Sequence, residues 1–218
     1  MTPDPADVSA KTWELLVAEG VERSFRAGDV LLRQGDRPSH VLLLVTGRVK
    51  ALLTLPDGEV LLLALRGPGE LLGEIAVLGG DDRSATLIAI DPCVTRALPA
   101  DRFRALMRSS GAGEELLRRA VRRLREGEAW RAETAALPAG PRVVRALLRL
   151  ALPGDGHTLE VGLGQTEIGQ AIGLHRSVVA AELARLRGLD VVATHRGRTV
   201  ITDLPRLRAL AGSGPGIV

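Results

Sequence analysis

Between Gly28 and Pro99 the apolar residues fall into short β-branched and leucine-rich runs, at 30–33, 41–46, 48–55, 60–65, 85–90 and 94–98. Turn residues separate them at Gly35-Asp36, Gly47 and Pro56-Asp57-Gly58. The last of these is strong hairpin chemistry, because Pro presets φ and Gly accepts φ > 0. Closely spaced runs of this length predict a compact antiparallel barrel or sandwich. Residues 42–45 and 61–65 lack clean alternation, so periodicity alone also admits a helix there; their length and spacing favour strands.

The pattern changes after Pro99. A short helix is expected near Ala100, and then a long one over 114–136, with Leu117, Ala120, Val121 and Leu124 on one stripe and Arg118, Arg119, Arg122, Arg125 and Arg131 mostly around it. A long stripe between two domains reads as a dimerisation helix. The alternative is a helix packed on its own barrel. Gly127 is costly inside a helix, by about 1 kcal/mol relative to Ala. Pro138 and Pro141 flank Ala139-Gly140, where a helix should stop or kink, and they mark the expected domain boundary.

Beyond that boundary the chain predicts an amphipathic helix over 142–151, a loop over 153–156 and a strand over 158–161. Two short helices follow, 165–172 and 176–187, joined by Gly173-Leu174-His175 as a helix-turn-helix requires. Ile168, Ile172, Leu174, Val179, Leu183 and Leu186 can pack the pair together, which aims Arg176 and Ser177 outward at the start of the second helix, with Val178 beside them a further candidate for DNA contact. Runs at 191–194 and 198–202 around His195-Arg196-Gly197 read as a basic β-hairpin wing.

Charge supports that reading weakly. Residues 139–218 hold ten arginines against six acids, a net of +4, whereas residues 1–138 hold nineteen basic against twenty acidic side chains. A basic C-terminal half suits double-stranded DNA. Arg176 can give two hydrogen bonds to guanine, and Gln165, Arg185, Arg196 and Arg198 are candidates for phosphate or further DNA contacts. A solvated surface is the plain reading of any one of these arginines.

No apolar run is long enough to span a membrane, and residues 1–20 carry Asp4, Asp7 and Glu14 without a signal pattern, so a cytoplasmic protein is expected. One cysteine, Cys93, cannot form an internal disulfide or supply the roughly four ligands of an iron–sulfur cluster. It reads as a small buried hydrophobe. His40, His157, His175 and His195 show no haem arrangement, and no metal is expected. A nucleophile elbow or Walker loop is also missing, which argues against an enzyme.

The densest chemistry lies in Gly73-Glu74-Ile75-Ala76-Val77-Leu78-Gly79-Gly80-Asp81-Asp82-Arg83-Ser84-Ala85. A phosphodiester needs a forked cation, free amides and no bulk nearby; Arg83, Ser84 and the surrounding loop can supply these, and Glu74 can accept from a sugar hydroxyl. This segment resembles the phosphate-binding cassette of cyclic-nucleotide-binding domains. Together with Gly28-Asp29, Gly35-Asp36, Gly47-Arg48-Val49, Gln165-Thr166-Glu167-Ile168-Gly169 and Arg176-Ser177-Val178-Val179, it makes the chain similar, over about 20–205, to the cyclic-AMP receptor protein and fumarate–nitrate reductase regulator (CRP/FNR) family.

The resemblance implies an α+β protein: a ligand-sensing antiparallel β-barrel of jelly-roll type over 1–110, a central dimerisation helix over 111–137, a hinge at 138–141 and a winged helix-turn-helix over 142–218. It implies a homodimeric, DNA-binding transcription regulator under allosteric control by a cyclic nucleotide, cAMP or cGMP, with RNA polymerase as a further partner. In that scheme Glu74 would bind the ribose hydroxyl, Arg83 and Ser84 the phosphate together with amides near Gly73, Ile75 and Ala76, and Arg123 would link pocket to helix. Gly127 and Glu128 stand where the receptor protein has hydroxyl residues reaching adenine, and Ser177 and Ala181 where it has a glutamate and an arginine. The base contact and the DNA sequence read are therefore expected to differ. The alternative is a ligand-independent or partner-controlled dimer, with Glu74 and Arg83 paired internally in a degenerate pocket.

Overall fold

The computed structural model describes residues 8–153 and 158–212, so the expected 153–156 loop, apart from Pro153, and His157 lie outside the described residues. The chain divides into two compact units, Met1–Glu126 and Gly127–Val218.

The first unit begins with α1 (Ala10–Glu19), whose N-cap Ser9 accepts from the Thr12 amide. Eight strands follow: β1 (Val21–Phe25), β2 (Val30–Leu32), β3 (His40–Thr46), β4 (Val49–Thr54), β5 (Val60–Arg66), β6 (Leu71–Leu72), β7 (Thr86–Ala89) and β8 (Cys93–Pro99), with the short helix α2 (Glu74–Gly79) between β6 and β7. They form two antiparallel sheets, β1-β8-β3-β6 and β2-β7-β4-β5, in an open jelly-roll-like arrangement rather than a closed barrel. Helix α3 (Ala100–Ser110) then leads into α4 (Gly113–Ala136).

Strand β3 explains the missing alternation at 42–45. Leu42 and Leu44 belong to the core that also holds Leu31, Leu32, Val49, Leu72, Leu87 and Ala97. Val41 and Leu43 point the other way, into a core with Leu16, Leu98, Phe103, Leu106 and Leu116 from the helices. A strand covered on both faces needs apolar residues at every position. In β5 the cause is different: the register with β4 slips between Ala51 and Leu52, so Leu62 and Leu65 are buried while Leu63 is 51% exposed.

The first half of α4 uses two faces. Leu116 and Arg119 are buried against its own unit, while the expected stripe does not pack there: Leu117, Val121 and Leu124 remain 63%, 41% and 59% exposed.

The second unit takes up the end of α4. Trp130 Nε1 donates to the Ala171 carbonyl at 3.2 Å, the Arg149 guanidinium lies 5.0 Å from the Trp130 ring centroid, and Glu133 pairs with Arg145 and Arg149 at 2.7 and 3.3 Å. These contacts lie within the second unit, which begins at Gly127. Helix α5 (Ala139–Leu150) starts right after Pro138, and Pro141 sits in its first turn, where a missing amide donor costs nothing.

Then come β9 (Leu152–Pro153), β10 (Leu159–Val161), α6 (Gln165–Ile172), α7 (Arg176–Gly188), β11 (Val192–His195), β12 (Arg198–Ile201) and α8 (Leu204–Leu210), with sheet order β11-β12-β10-β9. Val143, Leu147, Ile168, Ile172, Val179, Leu183, Leu186 and Leu207 form the buried centre. The α6–α7 turn depends on two glycines. Gly173 takes φ 64, and a Cβ on Gly169 would collide with the Leu174 carbonyl, which closes tightly over α6.

Candidate functional site

In the first unit the cassette is partly helical, with the expected loop confined to the residues around Arg83 and Ser84. Gly73, at φ 80, turns the chain into α2, which places Glu74, Ile75 and Ala76 in the helix's first turn. Glu74 and Ala76 are buried, whereas Ile75 is 57% exposed. Gly73 could carry no side chain: a Cβ there would run into the Arg83 guanidinium and lie 2.8 Å from Leu32 Cδ1.

Arg83 is itself only 5% exposed. Its Nη1 donates to the Gly73 carbonyl at 2.6 Å and its Nη2 to the His40 carbonyl, so both ends of the fork rest on neutral oxygens. Burial pulls its pKa below the usual guanidinium value, against the raising fields of Glu74 and Asp36. Ser84 next to it is exposed.

Glu74 is held by α4 instead of by Arg83. Its Oε1 lies 2.6 Å from Arg123 Nη1 and 3.8 Å from Arg119 Nε. The internal pairing weighed as an alternative therefore exists for Glu74 with a different partner. Glu70 extends the cluster, meeting Arg119 at 3.1 Å, Arg123 at 3.4 Å and Arg66 at 3.4 Å. Burial pushes the Glu74 carboxyl up, and Arg123 pulls it back down only in part.

Sequence reasoning did not select Arg66, Glu70 or Arg119. A signal was present: Glu70 stands four residues before Glu74, and Arg119 four before Arg123 on a helix, so the two arginines share a face. Gly127 and Glu128 belong to the second unit; Glu128 is exposed, and a Cβ on Gly127 would have Arg131 Nη1 at 3.8 Å as its nearest atom. Cys93 is buried, as expected, and burial beside Asp91 pushes its thiol up to about 11.

In the second unit one groove of about 350 Å³ brings together Gln165, Arg176, Arg196 and Arg198, with Thr166 and His195 beside them. Arg176, Ser177 and Val178 open α7 and are exposed; His175 caps it, its Nδ1 accepting from the Ser177 amide. Arg196 and Gly197 form the tip between β11 and β12, with Gly197 at φ 75. Arg198 reaches Glu160 at 3.4 Å. Arg185 is taken up by Glu182, one turn earlier on its own helix, through contacts down to 2.6 Å. A recognition-type helix, a basic wing and exposed guanidiniums thus share one concave surface, which can grip a polyanion and present donors to base edges.

Residues 22–110 match the cyclic nucleotide-binding domain and residues 141–210 the Crp-like helix-turn-helix domain. A cyclic AMP receptor protein of Thermus thermophilus is 30% identical over 190 residues, 87% of either chain. The cAMP-activated global transcriptional regulator CRP of Salmonella typhimurium is 26% identical over 180 residues, covering 78% of this chain and 84% of that protein. The crystal structure of a CRP-family transcriptional regulator, also from Thermus thermophilus, superimposes with a TM-score of 0.70 at 26% identity, over 90% of this chain and 100% of that one. With both domains matched in order and a cyclic AMP receptor protein aligned along most of its length, the chain belongs to the CRP/FNR family of DNA-binding transcription regulators.

Proposed function

We propose that this protein works as a homodimer whose grip on DNA is controlled by a small anionic ligand, a cyclic nucleotide such as cAMP or cGMP, held in the N-terminal domain. The observation that carries this reading is the buried pair of opposite functions around Gly73. Glu74 offers a carboxylate to sugar hydroxyls, and Arg83 offers a buried cation whose fork, among the described residues, meets only carbonyls. Those bonds are already charge-assisted through the guanidinium, and an anion in place of the neutral carbonyls adds the attraction of a second, opposite charge. Ser84 and the first amides of the cassette supply further donors, and relatives named for cyclic AMP support the ligand class.

Arg123, already on Glu74, is the natural link from ligand to α4. Any ligand that competes for Glu74 changes what holds α4, and a ligand shifts the equilibrium only through such differences between states. The exposed stripe of Leu117, Val121 and Leu124 supports dimerisation through α4. In the division of labour read from the sequence, residues 1–110 sense, 111–137 dimerise, 138–141 articulate and 142–218 read DNA; the 138–141 segment articulates only if Glu133 releases Arg145 and Arg149, which it now ties across it. Arg176, Ser177 and Val178 face bases while Gln165, Arg196 and Arg198 hold phosphates, with recognition helices about 34 Å apart on successive half-sites. Arg185 joins the phosphate contacts only by leaving Glu182. A cytoplasmic regulator of this kind would present a surface to RNA polymerase, and the family's members act as regulators rather than enzymes.

A thermal-shift panel of cyclic mononucleotides and dinucleotides, followed by DNA binding at fixed salt with and without the ligand found, tests the reading. The expected result is stabilisation by a cyclic nucleotide and a change in DNA affinity, both lost in Arg83→Ala. No response to any nucleotide, with DNA binding intact, would make the protein a ligand-independent DNA-binding dimer.

A further inference from the structure

A second cationic site lies on the side of Arg83 formed by the β2–β3 connection. Residues of β2 and that connection enclose a groove of about 210 Å³ whose polar lining is Arg33, Asp36, Arg37, Ser39, His40 and Arg83. Three arginines and one aspartate line it. Among the described residues no carboxylate lies within ion-pair distance of Arg33, Arg37 or Arg83, and Arg83 meets only carbonyl oxygens. Asp36 and Glu74 offset part of the charge on Arg83, but three guanidiniums outnumber the one carboxylate of the groove, and the remaining repulsion is relieved by an anionic guest.

The connection is shaped for this. Gly35 at φ 83 turns the chain, the Gly35 amide donates to the Arg83 carbonyl at 2.9 Å, and the Arg83 amide donates to the Asp36 carbonyl at 2.9 Å, tying the connection to the cassette segment between α2 and β7. Ser39 Oγ lies 3.0 Å from His40 Nδ1. Burial and the fields of Arg83 and Arg23 hold His40 below the usual imidazole value, so at neutral pH it offers one N–H without adding charge. Forked guanidiniums with a hydroxyl and an imidazole match the several oxygens of a phosphoryl group.

We propose that this groove is a second anion site, for a phosphoryl group, lying outside the cassette and sharing Arg83 with it. Because one guanidinium serves both, an occupant of the groove and a ligand of the cassette act on each other's affinity. The groove reading stands on Arg33 and Arg37 and does not require the cassette to take a nucleotide.

Calorimetry on the full-length protein at constant ionic strength tests it, with inorganic phosphate as the free anion, ADP as a nucleotide-borne phosphoryl group and chloride as the blank. The expected result is binding of at least one of the two, weakened by about tenfold or more in Arg33→Gln/Arg37→Gln, with cAMP affinity within about twofold of the parent and a melting temperature no lower than the parent's. Silence of both probes toward the parent overturns the proposal, as does unchanged phosphoryl affinity in the double variant. Equal loss of phosphoryl and cAMP binding also overturns it, by making the groove part of the cassette. If cAMP and cGMP fail while a phosphoryl probe binds and is lost in the double variant, the groove stands and the cassette reading falls.

Discussion

Replacing Arg123 with methionine keeps an aliphatic stem on α4 and deletes the guanidinium 2.6 Å from Glu74 Oε1 and 3.4 Å from Glu70 Oε2. The Glu74 side chain is 5% exposed, so water cannot take the lost partner's place. Removing one member of a buried pair costs about 3 to 5 kcal/mol. Two features favour the lower end: Arg119 remains 3.8 Å from the same oxygen, and Glu74 can escape the penalty by binding a proton. The expected loss at neutral pH is about 3 kcal/mol.

The pH dependence has a definite sign. Burial already raises the folded-state pKa of Glu74 above its ordinary 4.5, and losing Arg123 raises it further. A carboxyl raised on folding binds more protons folded than unfolded, so stability falls as pH rises between the two values. The penalty of Arg123→Met is therefore full above the variant's folded pKa and shrinks as pH falls toward 4.5. Urea unfolding of Trp130→Phe with and without Arg123→Met measures it, because Trp13, packed on the N-terminal core, then reports the first unit alone. A loss under about 1 kcal/mol at neutral pH, or one that grows on acidification, refutes the reasoning.

Arg176→Ala is expected to cost about 1 to 3 kcal/mol of discrimination between a specific site and random DNA in competition binding; an equal loss on both would reassign it to a phosphate. Arg196→Gln should instead weaken both alike and lower the salt slope by about one counterion. Leu124→Glu places a charge within the exposed α4 stripe and should shift sedimentation from dimer to monomer without lowering the first unit's melting temperature; a dimer of unchanged affinity would exclude this face as the interface. The Cys93 thiol, pushed up to about 11, should be nearly inert to a thiol reagent at mildly alkaline pH in the folded protein and react only above that value or on unfolding, since the thiolate is the nucleophile.

Element type and order were written locally, in turn chemistry and in the change of hydrophobic period at Pro99, so the strands, the long helix, the helix pair and the wing could be read directly. The cassette and the recognition-helix start were legible because each is a contiguous segment. The α1 helix, β1, the two-residue β6 and α8 were not: their periodic signal is short, and tertiary neighbours hold them. The two-sided burial of β3 and the slip in β5 made alternation fail where strands nevertheless form.

Only the tertiary structure decided partners. The sequence by itself determined that Glu74 and Arg83 stand close together in one phosphate-type segment, but not that Arg83 turns to carbonyls while Glu74 goes to Arg123 on a helix far along the chain. It determined the arginines of α4 and α7, but not that Arg119 is buried on Glu70 or that Arg185 is engaged by Glu182. Helical and strand periods are set by the backbone and repeat along the chain. Pairing of charges is set by which surfaces are brought together and kept from water, and this depends on the whole fold.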